Sequence, residues 1–138
     1  MMSVREFRRA CYTAARRTGG KVVEFRLAKG VAPNFHQGLI AYRDRTVAVV
    51  CARDLAVLAV AEPRIIDFAA DGAESGPLTF VEVPALAAAL VEEPGLRVLT
   101  PSELNGPFDA ASWPHVLSND ITYWKPATLG EALFNYWD

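Results

Sequence analysis

Two short runs rich in valine and alanine, at positions 47–50 and 55–60, constrain the fold of this chain more than any other feature. Short apolar runs between turn residues are typical of β-strands. Because hardly any polar residue interrupts them, we expect these strands to be covered on both faces of a sheet, or to carry small residues on one face beneath a helix. The short connection Ala52-Arg53-Asp54 suits an antiparallel hairpin.

An amphipathic helix near the N-terminus is predicted to supply that cover. Residues 3–18 carry apolar side chains at helical spacing, and Gly19-Gly20 ends the pattern. The apolar stripe comprises Val4, Phe7, Cys11 and Ala14. Alternating apolar and charged residues at 23–27 then predict a strand with one solvated face, and residues 39–42 predict the strand that precedes the hairpins.

The second half of the chain predicts shorter elements. Strands are expected at 64–69, 78–83, 96–99 and 121–124, a short helix at 84–92, and an exposed loop at 71–77. Two Thr-x-x-Glu sequences, beginning at Thr100 and Thr128, match capping boxes that open further helices. With 138 residues the chain fits one domain. We therefore predict a single α+β domain over residues 1–138, with an N-terminal helix packed on a mainly antiparallel β-sheet and short C-terminal helices.

Charge is distributed very unevenly along the chain. The first 53 residues carry eleven Lys or Arg against three Asp or Glu, whereas the remaining residues carry three against thirteen. This asymmetry favours a charged partner or pairing between the two halves. Nucleic acid is disfavoured as that partner, because the chain is acidic overall and shows no helix-turn-helix or RNA-binding strand signature.

Residue types that carry catalysis or bind metals do not cluster in the sequence. His36 and His115 are far apart and lack ligand-type neighbours at helical spacing, so no metal site is predicted. The three residues His115, Ser118 and Asp120 lie too close together in sequence to form a triad, and Ser118-Asn119-Asp120 is typical of a cap or a turn. Cys11 and Cys51 are expected to be buried, reduced thiols, so no catalytic residue and no cofactor is predicted.

Location and aromatic content give two further expectations. The first residues lack the apolar run of an export signal, and no stretch approaches the ~20 apolar residues of a membrane span, so a cytoplasmic location without membrane contact is expected. Seven of the fourteen aromatic residues lie in the last 31 positions. These rings are expected either to complete the core or, for two or three of them, to form a binding surface.

The C-terminal residues 124–138 follow the pattern W-x-P-x-T-x-G-E-x-x-F-N-x-W-D. This ending resembles that of small bacterial proteins, some of which are immunity proteins encoded beside polymorphic toxins. The resemblance covers about 15 residues. It implies a single α+β domain that acts by stoichiometric binding and needs no cofactor.

These observations together predict a protein-binding domain, and most specifically an immunity-type inhibitor of a cognate protein toxin. Two alternatives stay open: a small enzyme or ligand-binding protein with a pocket built from His36, Tyr42, His115 and Asp120, and a regulatory or structural homo-oligomer such as a homodimer. The residues predicted to contact the partner are Arg5, Arg8, Arg9, Trp113, Asp120, Trp124 and Lys125.

Overall fold

The computed structural model confirms an α+β domain with an N-terminal helix, a mostly antiparallel sheet and short C-terminal helices. It describes residues 3–28, 35–52, 56–63, 78–93, 95–113 and 126–134. The strands predicted at 64–69 and 121–124 and the loop predicted at 71–77 lie outside these residues.

Helices and strands make up most of the described residues. The helices are α1 (Val4–Thr18), α2 (Pro84–Val91), α3 (Pro101–Leu104) and α4 (Leu129–Leu133), with a 3-10 turn at Ala110–Ser112. The strands are β1 (Lys21–Arg26), β2 (Phe35–Ala41), β3 (Thr46–Ala52), β4 (Val57–Ala61) and β5 (Arg97–Val98).

The five strands form one sheet in the order of the sequence. β1 to β4 are an antiparallel meander, and β5 adds to β4 in parallel. A bulge between Val22 and Glu24 interrupts the pairing of β1 with β2. The strand predicted at 78–83 is reduced to a single antiparallel bridge between Phe80 and Ala61, because this segment leaves the edge of β4 to enter α2.

Every residue of β4, and every residue of β3 after Thr46, is buried, which confirms the prediction that these strands are covered. On one face Val47, Val49 and Leu58 pack beneath α1 and α2. On the other face the small side chains of Ala48, Ala59 and their neighbours pack against residues from 78–134. The residues that cover this second face are Leu78, Leu99, Leu104, Trp113, Leu129, Leu133 and Phe134.

Local sequence signals fix the ends of the helices. The Ser3 hydroxyl accepts a hydrogen bond from the Glu6 N–H at 3.1 Å, and Gly19 ends α1 with a positive φ of 74°. The box at Thr100 is complete, since the Glu103 carboxylate accepts from the Thr100 N–H at 3.1 Å. At Thr128 the prediction needs a correction: Thr128 caps the Glu131 N–H, but the Glu131 carboxylate accepts from the Ala127 N–H instead.

Gly38 allows α1 to approach the sheet closely. A Cβ atom at this position would lie 2.8 Å from the Cys11 Sγ and 3.0 Å from the Phe25 Cε1. Both distances are shorter than ordinary van der Waals contact, so any side chain here would push α1 away from β2. The close approach places the exposed face of α1 beside β1.

We expect Gly38→Ala to lower the free energy of unfolding by about 1–3 kcal/mol, because the added methyl group overpacks this contact. Urea denaturation of Gly38→Ala, Cys11→Ala and the double variant measures it. The double variant should lose less stability than the sum of the single variants, since removing the sulfur makes room for the methyl group. Losses that add within about 0.5 kcal/mol would contradict this account of the glycine.

Candidate partner-binding surface

The outward face of α1 carries a line of cationic side chains with one aromatic ring among them. These residues are spaced i, i+3, i+4, i+7 and i+11, which puts them on one side of the helix. All are exposed, and the Tyr12 side chain is 54% accessible. We call this set the arginine stripe, and its members are Arg5, Arg8, Arg9, Tyr12 and Arg16.

Phe25 of β1 anchors one side of the arginine stripe. The Arg8 guanidinium lies over the Phe25 ring at 5.3 Å from its centroid. The Tyr12 ring meets Phe25 edge-on at 5.6 Å, and Phe7 contacts it from the core side at 6.0 Å. Cation–π and edge-to-face contacts of this kind restrain side chains that would otherwise be mobile. Arg8 and Tyr12 are therefore partly ordered before any partner arrives.

The edge strand β1 continues this surface. Lys21, Val23 and Glu24 are exposed, and Val23, at the bulge, is 53% accessible. Bulges and charged residues at a sheet edge oppose indiscriminate pairing with other strands. Tyr12 thus adds apolar area beside the arginines, as is common in protein interfaces, and Val23 is exposed on the neighbouring strand.

Pairing between the basic and acidic halves of the chain accounts for one arginine of α1. Arg17 forms an ion pair with Glu92 at the end of α2 and thereby joins the two helices. The other ion pair in the described part of the chain, between Arg26 and Glu24, lies within β1. Within those same residues, no arginine of the stripe has a carboxylate partner, so the positive charge of the stripe faces solvent.

The residues of the alternative enzymatic pocket do not converge where the structure describes them. His36 and Tyr42 lie at opposite ends of β2, six positions or about 20 Å apart along the strand. The His36 Nδ1 accepts from the Ala28 N–H at 2.9 Å, and the Tyr42 hydroxyl lies 2.7 Å from the Thr18 hydroxyl. Both contacts connect β2 to neighbouring segments. His115 and Asp120 lie outside the described residues.

Cys11, on the inner face of α1, and Cys51, in β3, are buried thiols and form no disulfide. Burial raises the pKa of the Cys51 thiol to about 12. The pKa of Cys11 is raised further, first by burial and then by the charge that Cys51 would carry. Both groups therefore stay protonated near neutral pH, which opposes nucleophilic or metal-ligating use.

The remaining predicted contact residues separate into two groups. Trp113 is buried, with 9% of its surface accessible, and belongs to the core on the second face of the sheet. The Arg97 guanidinium covers its ring at 4.8 Å from the centroid. The structure thus gives Trp113 a packing role. Asp120, Trp124 and Lys125 lie outside the described residues.

The predicted contact residues included Arg5, Arg8 and Arg9 but not Tyr12, Arg16 or Val23. Tyr12 follows Arg8 and Arg9 by four and three positions, so helical spacing alone could have placed it among them. The place of β1 beside this face of α1 is shown only by the tertiary contacts of Phe25 with Arg8 and Tyr12. In the described residues, no group of three or more His, Cys, Asp or Glu is placed to hold a metal ion. Nor does any helix there have the length and apolar character of a membrane span.

We expect stability to fall as pH rises above about 8.5, where thiols of the unfolded chain ionise while the folded chain keeps both protons. Because both pKa values are raised in the folded state, the folded chain binds more protons than the unfolded chain in this range. The free energy of unfolding therefore falls as pH rises. Urea denaturation at about pH 8 and about pH 10 should show a loss for the wild type that exceeds the loss for Cys51→Ala by about 2 kcal/mol. Equal losses of stability in the wild type and in Cys51→Ala would indicate that the Cys51 thiol is exposed to water in the folded state.

Comparison with protein-family models, with curated proteins and with solved structures found no match to this chain.

Proposed function

We propose that this chain is a protein-binding domain that holds an acidic surface of a partner protein against the arginine stripe of α1. The more specific form of the proposal is an immunity-type inhibitor that neutralises a cognate toxin by stoichiometric binding. The observation that carries it is the exposed stripe itself, with four arginines on one face of a helix and no carboxylate partner in the described part of the chain.

The chemistry of the stripe suits a protein surface. Arginine and tyrosine are the residue types most enriched at interface hot spots, because each combines apolar area with hydrogen-bonding groups. A concentrated positive face also attracts an acidic partner over several ångströms and raises the association rate. An inhibitor must capture its target quickly, so such steering fits the proposed role.

Partial ordering of the stripe adds to this argument. Phe25 already contacts both Arg8 and Tyr12 in the isolated chain. Fewer rotamers are therefore lost when a partner binds, and less of the interaction free energy is consumed by ordering. Arg5 and Arg9, by contrast, extend from the N-terminal half of the same face and supply charge.

The C-terminal resemblance supports the immunity proposal through the fold element it describes. Thr128 caps α4, Phe134 packs against the rings of Phe35 and Phe80, and a side chain at Gly130 would collide with Phe80. These residues of the shared pattern hold α4 on the sheet. The arginine stripe lies on the opposite side of the sheet, which α1 and α2 cover.

Capture of the partner from the source organism tests the proposal. The tagged chain is used as bait at low and moderate salt after nuclease treatment, and the bound protein is identified and expressed alone. We expect one acidic-faced protein in 1:1 ratio whose toxicity is suppressed by this chain. Capture that disappears on nuclease treatment would point to nucleic acid instead.

Charge reversal tests the surface. We expect Arg5→Glu/Arg9→Glu to slow association with the captured partner by about tenfold or more at low salt, because the steering field is reversed. The difference should shrink at high salt, where charges are screened beyond a few ångströms. Association rates from stopped-flow or surface-based kinetics provide the measurement.

The matched control is Arg43→Glu/Arg45→Glu, which changes the net charge equally. Arg43 and Arg45 are exposed in the β2–β3 turn, beside Tyr42, which contacts the last residue of α1. They are thus removed from Arg9 by roughly 13 Å along the helix. Equal slowing by both double variants would show a net-charge effect and remove the stripe from the interface.

A further inference from the structure

Two separate segments share the outer edge of β4. At one end of the strand, the N–H groups of Arg97 and Leu99 donate to the carbonyls of Ala56 and Leu58. At the other end, Val81 donates to the Val60 carbonyl and Glu62 donates to the Thr79 carbonyl. The segments diverge between these two points because one enters α2 and the other leaves towards α3.

A groove of about 270 Å³ opens where the segments diverge. Drug-sized ligands and cofactors usually occupy about 300 Å³ or more, so this groove suits one large side chain better than a cofactor. Its lining is apolar except for Glu82 and Thr100, and no residue of α1 belongs to it. The apolar lining consists mainly of Val60, Val81, Val83, Ala87, Val91 and Val98.

Val60, which lines the groove, has a backbone N–H at this edge of β4. In a strand, the N–H and C=O of one residue point to the same side, so the Val60 N–H faces the edge that its carbonyl shares with Val81. None of the hydrogen bonds that the two segments make with β4 uses this N–H. Val60 is only 5% accessible. A buried donor in this position favours an occupant that brings an acceptor.

The rim restricts the charge of the occupant. Glu82 is exposed and lines the groove, whereas Glu92 at the end of α2 is already paired with Arg17. The Glu82 carboxylate would repel an anionic ligand, whereas it would not repel a neutral one. A peptide unit is neutral and carries a carbonyl acceptor next to its side chain.

We propose that this groove is a second recognition site, which binds one branched apolar side chain of an extended peptide segment from a partner protein. The side chain fills the valine-lined volume, and the backbone carbonyl of the segment accepts from the Val60 N–H. This arrangement joins a side-chain pocket to a short piece of strand addition at a sheet edge. The site goes beyond the function proposed for α1 and does not depend on it.

The probe for this site is capped leucine, N-acetyl-leucine N-methylamide, titrated into ¹⁵N-labelled protein. We expect saturable shifts at the amides of Val60, Val81, Ala87 and Val98 with a dissociation constant on the order of 1 mM. The Val60 amide proton should move downfield as it gains an acceptor. Capped alanine should bind at least about tenfold more weakly, since it buries less apolar surface.

Two neighbouring positions of α2 provide matched variants. Ala87 lines the groove, whereas Ala88 is exposed beside it. Ala87→Phe should abolish the shifts by filling the volume, and Ala88→Phe should leave them unchanged. Identical behaviour of the two variants, or the absence of saturable shifts with wild-type protein, would overturn the proposal.

Two further outcomes would indicate a different occupant of the groove. Binding of 3-methylbutan-1-ol as tightly as capped leucine would overturn the peptide and indicate a small aliphatic ligand, because this alcohol offers a similar chain without a peptide carbonyl. Groove shifts that follow protein concentration in the absence of probe would show that a second copy of the chain covers the groove. Saturable binding of capped leucine, with weaker binding of the alcohol, supports a peptide segment as the occupant.

Discussion

Burial of β3 and β4 on both faces is the constraint on which the rest of this structure depends. A strand of valine and alanine without a solvated face is stable only if a layer packs on each side of it. α1 and α2 form one layer, and α3 and α4 together with Leu78, Leu99 and Trp113 form the other. Two aromatic residues of the C-terminal part of the chain, Trp113 and Phe134, belong to this second layer. Phe134, for example, meets Phe35 and Phe80 there.

The same constraint determines what α1 can offer to a partner. Its inner face is committed to the sheet, and Gly38 lets that contact become very close. Its outer face is left to the arginines, which cannot be buried without partners of opposite charge. The chain neutralises Arg17 with Glu92 but leaves the stripe exposed among the described residues. A charged helix face held on a rigid sheet is suited to recognition by complementarity.

The two proposed sites differ in their physical basis. The stripe relies on charge and is sensitive to salt, whereas the groove relies on apolar volume and a single backbone donor. The stripe lies on α1, and α2 lines part of the groove. The ion pair between Arg17 and Glu92 connects these two helices. A partner that used both sites would need an acidic patch and an extended apolar segment separated by the width of α2.

Much of this architecture was predictable from the sequence because it depends on near neighbours. Helical periodicity predicted α1 and the alignment of Arg5, Arg8 and Arg9, and Gly19-Gly20 predicted its end. Polar turns predicted the meander from β2 to β4. The Thr100 box was predicted in full, whereas at Thr128 the glutamate selects the N–H one residue earlier, a choice of local geometry that the motif does not encode.

Contacts between distant residues were decided by the tertiary structure alone. Segments that are remote in sequence meet in three places. β5 pairs in parallel with β4, Phe25 contacts Arg8 and Tyr12, and Trp113 is buried against the sheet. The groove at Val60 is of the same kind, since it exists only because two segments share one strand edge. Spacing and capping act over a few residues, so the sequence determines the elements and their faces, while packing determines which faces meet.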